Sequence, residues 1–193
     1  MRKDIQALRA LAVMGVFVYH MRPGYLPGGF AGVDVFFVLS GFLISSHLLV
    51  ELRDRGSIEL AKFWSRRAKR LLPASLTVLG LTGIFVWLLA PQALQERFFR
   101  DIGAASVYVA NWVFAFDSVD YLAADNSPSV VQHFWSLGVE EQLYLVWPVL
   151  LILTYRLLKP RLASPVLSVG LVLSAIAVAS LIYSAWTVFD NNP

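Results

Sequence analysis

An all-α membrane protein is the fold class this sequence predicts, and three observations predict it. Of the 193 residues, 58% are apolar and only 15% charged, with a mean hydropathy of +0.64. A soluble domain carries about 45–50% apolar and about 25% charged residues. The apolar excess comes in long blocks, the pattern of bilayer-crossing helices. The Lys and Arg cluster between those blocks, which turns the formal charge of +3 into a topology signal and argues against nucleic acid as a partner. There is no cysteine, so disulfides, thiolate metal sites and cysteine nucleophiles are excluded.

Six apolar stretches justify a polytopic bundle of about six transmembrane or re-entrant helices: Ile5–His20, Val33–Val50, Leu71–Ala90, Ile102–Phe116, Phe134–Leu158 and Val166–Phe189. The first holds Gln6 and Arg9, and no small-residue cleavage site follows it, so it reads as a retained span and not a signal peptide. The third and sixth carry no charge and approach or exceed the ~20 residues that cross hydrocarbon. The fourth, 15 residues long, is short for a span and reads as a short, tilted or re-entrant helix. The fifth opens on Glu140, Glu141 and Gln142 before the apolar run Leu143–Leu153. Tyr25–Gly32 reads as a turn and Asp117–Gln132 as a polar loop. The chain ends at Asp190-Asn191-Asn192-Pro193 with no following domain expected.

The segment Glu51–Arg70 reads as a loop with seven Lys or Arg against three acids. Such an excess in a short loop places it, and with it the N-terminus (Arg2, Lys3), in the cytoplasm. Counting every stretch as a full span puts Lys159 and Arg161 outside; the conflict lifts if Ile102–Phe116 does not cross.

Ionisable groups inside hydrocarbon cost at least ~2.5–3.5 kcal/mol, so those that persist mark function more often than in water. Arg9 and His20 lie eleven residues apart, about three turns, hence on one helix face, separated by ~16 Å along the axis. Spacing alone leaves two readings open: one polar path, or Arg9 snorkelling to headgroups with His20 at the opposite interface. Gly28-Gly29-Phe30-Ala31-Gly32 permits a tight turn and leaves Asp34 at the mouth of the second stretch; Ser40-Gly41 reads as small residues for close packing, and His47 as interfacial. The run Phe63–Pro73, with Arg66, Arg67, Lys69 and Arg70, suits either anionic lipid or the phosphates of a nucleotide cofactor. In His133–Tyr144 the adjacent Glu140 and Glu141 project about 100° apart on a helix. Only one can face a given partner, and a carboxylate near His20 would orient it; the other reading is a solvated helix start. One His with acids is a weak metal signal.

Four segments in this order resemble the acyltransferase type 3 family: Arg9 and His20 as Arg-x10-His, GGFAGVDVFFVLSGFLI from Gly28 to Ile44, Arg67-x-x-Arg70 before Pro73, and HFWSLGVEEQLYLVWP from His133 to Pro148. The resemblance implies a multi-span bacterial membrane enzyme moving acyl groups, commonly acetyl, from acetyl-CoA or another acyl-CoA to hydroxyls of surface glycans or lipid-linked sugars. It implies His20 and Arg9 as essential residues, with Glu140 or Glu141, Trp135 and Ser136 from the fourth motif. Arg66, Arg67 and Arg70 would dock CoA phosphates, while Asp34, Ser40 and His133 support the site; no metal is called for. Histidine titrates near working pH, so His20 is expected to deprotonate the acceptor or to carry the acyl group transiently. The family's domain holds more spans than these six stretches. Residues 1–193 therefore read as the N-terminal portion of one such domain in the bacterial plasma membrane, with remaining helices missing and no soluble domain. The alternatives are a solute or ion transporter lined by Arg9, Asp34 and His20, and a non-catalytic membrane subunit.

Overall fold

The computed structural model describes residues 3–22, 24–119, 128–158 and 164–190, and no strand occurs among them. In chain order the helices are α1 (Lys3–Met21), α2 (Gly32–Arg55, preceded by a 3-10 turn over Gly29–Ala31), α3 (Leu60–Leu89), α4 (Gln92–Ser106), α5 (Ala110–Val119), α6 (Phe134–Leu158) and α7 (Pro165–Asp190). Four segments are long and apolar enough to cross a membrane: Gly29–Arg55, Leu60–Leu89, Phe134–Leu158 and Val166–Phe189. The all-helical membrane class stands.

The expected count of about six is corrected to these four. Ile102–Phe116 is not one helix: α4 ends at Ser106, α5 starts at Ala110, and Tyr108 between them has φ 58°, a left-handed conformation that an α-helix interior does not accommodate. α1 keeps 19 residues, yet Asp4, Gln6, Arg9 and His20 dilute its apolar run, and it is not among the four. Lys159, Arg161 and much of Asp117–Gln132 lie outside the described residues.

A second correction concerns the basic segment. The expected loop Glu51–Arg70 is mostly helix, because α2 continues to Arg55 and α3 begins at Leu60. The link turns at Gly56, whose φ of 69° is the left-handed conformation that commonly ends helices; its N–H donates to the Leu52 carbonyl at 2.9 Å. Lys62, Arg66, Arg67, Lys69 and Arg70 therefore project from the first turns of α3.

The chain divides into two compact units. The unit of Ile44–Leu60 and Val146–Pro193 buries Leu48, Leu52, Leu151 and Val169, and Trp147 Nε1 donates to Ser45 Oγ at 2.8 Å. That bond satisfies the indole N–H beside an otherwise apolar core. The unit of Met1–Leu43 and Ala61–Leu145 has a core of Leu79, Ala105, Ala110, Val131 and Phe134, covered by Ile102, Phe114 and Leu137. In it a Cβ on Gly29 or Gly32 would strike the carbonyl oxygens of Gly15 and Ala12 respectively. Those two glycines let the start of α2 lie backbone to backbone on α1, which fixes α1 against α2 beside the site.

The α4–α5 pair is also tied by charge. Arg100 bonds to Asp101 at 2.9 Å and to Asp117, and Asp101 is fully buried. Hydrogen bonds to Asp117 and then to Asp101 hold the Arg100 guanidinium above even its ordinary range, so the cation persists at any accessible pH.

Candidate functional site

The first turns of α6 carry polar residues at 136, 140, 141 and 142, and helical geometry deals them out to different neighbours. Residues four apart share a face and adjacent residues diverge by about 100°. Ser136 and Glu140 therefore turn one way, Glu141 and Leu145 another, Gly138 and Gln142 a third.

The first face closes a cavity of about 460 Å³ against α1 and α2. Its walls are largely apolar, from Ala12, Val16 and Phe17 on α1 and Phe36 and Phe37 on α2, and its polar side chains are His20, His133, Ser136 and Glu140. Glu140 is held on both sides: Ser40 Oγ donates to its Oε1 at 2.7 Å, and the Tyr144 hydroxyl donates to the same oxygen. The His20 ring meets Tyr19 edge-on at 5.6 Å, and its Nδ1 lies 2.9 Å from the Val16 carbonyl. A carbonyl only accepts, so Nδ1 carries the hydrogen there. In the neutral ring that leaves Nε2 as the lone pair able to take a proton. Partial desolvation, and then the nearby His20, push His133 below the usual histidine range.

Arg9 lies on the α1 stripe that ends at His20. Its guanidinium does not line the cavity but stacks on Phe36, one of the walls, at 4.8 Å from the ring centroid, a cation–π contact. No ion pair joins it to Asp34 among the described residues; Asp34 is exposed in the first turn of α2. Trp135 packs edge-on to Phe37 at 6.2 Å.

The second face of α6 borders a cavity of about 380 Å³ lined by Trp64, Arg67, Leu71 and Leu72 of α3, Tyr108, and Glu141, Gln142 and Tyr144. Arg67 stacks on the Tyr144 ring at 3.2 Å from its centroid, and Trp64 Nε1 donates to the Tyr144 carbonyl at 3.1 Å. Arg67 Nε and Glu141 Oε1 are buried without a hydrogen-bond partner. Arg66 and Arg70 are exposed and outside this wall. Of the three arginines expected to act together, Arg67 lines this cavity and Arg66 and Arg70 do not.

The two carboxylates thus part company: Glu140 joins His20, His133 and Ser136, while Glu141 joins Arg67. Tyr144, Trp64 and Tyr108 were not singled out from sequence, and Gln142 was read only as part of the polar opening of the fifth stretch. The i,i+4 spacing of Glu140 and Tyr144 was the signal available for the first; the others come together only by tertiary packing. No group of three or more His, Asp or Glu side chains that could hold a metal forms among the described residues.

The described helices thus form a membrane-type bundle with a cavity lined by His20 and Glu140 and another lined by Arg67. The chain belongs to the acyltransferase family whose domain matches residues 2–193. It is similar to a Staphylococcus aureus (strain COL) protein provisionally named an O-acetyltransferase, 41% identical over 180 residues. It is likewise similar to the peptidoglycan O-acetyltransferase OatA of Listeria monocytogenes, 38% identical over 181 residues, and to the O-acetyltransferase OatA of Staphylococcus aureus (strain NCTC 8325), 36% identical over 190. The matches cover 93%, 93% and 97% of this chain and 30%, 29% and 30% of the relatives, so the chain spans about a third of their length. No solved structure matches.

Proposed function

We propose that this chain is the N-terminal portion of a membrane O-acyltransferase domain, multi-pass in the bacterial plasma membrane with a cytoplasmic N-terminus. It moves an acetyl group from acetyl-CoA to a hydroxyl of a surface glycan or lipid-linked sugar. The observation that carries this reading is the convergence of His20, His133, Ser136 and Glu140 on one largely apolar cavity, from parts of the sequence more than a hundred residues apart. Structural polar groups in a bilayer tend to be consumed by one another. Here His20 keeps Nε2 available among largely apolar walls.

In this reading His20 Nε2 takes the proton of the acceptor hydroxyl as the oxygen attacks the thioester carbonyl carbon. The new C–O bond forms, the C–S bond breaks, and the proton passes from the imidazolium to the departing thiolate. Glu140, steadied by Ser40 and Tyr144, stabilises the positive imidazolium while it exists. Arg9 keeps Phe36 in place as a wall. Arg67 meets a phosphate of CoA: an unpartnered buried N–H costs about 1–3 kcal/mol, which an entering phosphate oxygen would relieve. Arg66 and Arg70 add positive field at the approach, and Asp34 and Trp135 shape the rim.

Two experiments test the assignment. With acetyl-CoA titrated against the purified membrane protein, Arg67→Ala should raise the donor KM about 10–100-fold, the worth of one charge-assisted bond of about 1.5–3 kcal/mol. Arg70→Ala should do less, and the acceptor KM should not move. An unchanged donor KM in Arg67→Ala would return the basic run to lipid binding. For topology, Ser57→Cys should resist membrane-impermeant thiol reagents in intact cells, because the chain's densest Lys and Arg excess surrounds it and such segments stay cytoplasmic. Labelling from outside would reverse the orientation.

A further inference from the structure

The third face of α6 holds a backbone in place. Between α4 and α5 the chain turns through Val107, Tyr108 and Val109, and Tyr108 adopts φ 58°, which costs a bulky L-residue conformational strain. Such a residue stays put only where its surroundings over-determine it. Its own chain supplies part of this, with Tyr108 N–H donating to the Ala105 carbonyl at 3.1 Å and Val109 N–H to the Ala104 carbonyl at 2.9 Å, and one side-chain amide ties the elbow to α6. Gln142 Nε2 donates to the Tyr108 carbonyl at 2.8 Å and to Asn111 Oδ1 at 2.9 Å. Its Oε1 accepts from Asn111 Nδ2 at 3.3 Å and from Trp112 Nε1 at 3.2 Å. One helical turn earlier, Gly138 makes the approach possible: a Cβ there would lie 3.0 Å from Asn111 Oδ1 and 3.1 Å from the Tyr108 carbonyl. The far end of Tyr108 is tied as well, its hydroxyl 3.0 Å from Ser75 Oγ. Val107, Tyr108 and Val109 line the Arg67 cavity, and Gln142 itself lines it.

We infer that Gln142 is a positioning residue for donor use, clamping the strained Tyr108 elbow so that this wall of the Arg67 cavity keeps the shape the thioester donor needs. The inference rests on the reading that this cavity takes the donor. Both Gln142 oxygen contacts could survive in Gln142→Glu, but a carboxylate cannot donate; it would set negative charge against the Tyr108 carbonyl and Asn111 Oδ1. The elbow would be released while side-chain size is kept.

The test is steady-state kinetics of the purified membrane protein with acetyl-CoA and glycan varied separately. Gln142→Glu should raise the acetyl-CoA KM about tenfold or more, a loss of the size expected for a buried amide bond, with the glycan KM unchanged. Trp112→Phe, which removes a single contact to Oε1, should stay close to the parent protein. The decisive readout is coupling. Glycine adopts positive φ without strain, so in a Tyr108→Gly background the further effect of Gln142→Glu should shrink to about twofold or less. Independent, multiplying effects of the two changes would overturn the inference, as would a loss in kcat with the donor KM unmoved. If Gln142→Glu fails to accumulate, Asn111→Ala is read the same way, with about a threefold rise in donor KM expected and no rise overturning the clamp. A parent protein whose rate ignores acetyl-CoA would instead sink the donor reading, which separates the two failures.

Discussion

Replacing His20 by alanine is expected to abolish acyl transfer while leaving the protein in the membrane at normal abundance. The imidazole is solvent-exposed at the end of α1 and lends nothing to the apolar run Ala10–Tyr19 that precedes it, so its removal leaves no cavity in a packed core. Its chemistry is harder to replace. Among the polar groups of the 460 Å³ cavity, Ser136 is too weak a base and Glu140 already accepts two hydroxyl hydrogens. His133 is pushed towards the neutral, less basic state by partial burial and by His20. Loss of a general base typically lowers the rate about 10²–10⁴-fold. The measurement is acetyl incorporation into glycan beside a quantitative blot of the membrane fraction, with His20→Gln as a second variant that keeps polarity without basicity. Near-normal acetylation at normal abundance would leave His20 as an interfacial residue and remove the base from the mechanism.

Much of this arrangement was legible beforehand, for physical reasons that differ residue by residue. Phe134–Leu158 and Val166–Phe189 are read from sequence to within a residue or two because hydrocarbon imposes one requirement, length of apolar run, and nothing competes with it. Ile102–Phe116 fails that reading because hydropathy does not report backbone conformation: the turn at Tyr108 is made by a bulky residue in a left-handed conformation, where sequence would call for glycine. The basic loop fails for a related reason. Charge density locates a segment relative to the bilayer but does not forbid a helix, and Lys62–Arg70 is composed of adequate helix formers. At the site, the divergence of Glu140 from Glu141 follows from the 100° step alone. Which of them meets His20 does not follow, since that depends on how α6 is rotated against α1 and α2. The close approach allowed by Gly29 and Gly32 is equally invisible, because a glycine pair in a turn and a glycine pair under a neighbouring helix look the same in one dimension.

That rotation yields the second large expected effect, a contrast between adjacent carboxylates. Glu140→Gln should reduce kcat about 10–100-fold, the scale of losing a charged hydrogen-bonding partner worth about 1.5–3 kcal/mol, with the donor KM nearly unchanged. The amide keeps the size of the side chain and still offers an oxygen to Ser40 Oγ and the Tyr144 hydroxyl. What disappears is the negative charge that favours an imidazolium, an attraction that the largely apolar walls strengthen relative to open water. Glu141→Gln should behave in the opposite sense, altering the acetyl-CoA KM several-fold and sparing kcat, because Glu141 shares its cavity with Arg67 and not with His20. Removing a carboxylate that shares the cavity with Arg67 changes how strongly the guanidinium attracts an incoming anion. Kinetics of the two variants, prepared side by side and normalised to folded protein, decide the matter. Identical profiles would mean that the pair acts as one anionic helix start, and the division of α6 into an acceptor-side and a donor-side face would have to be given up.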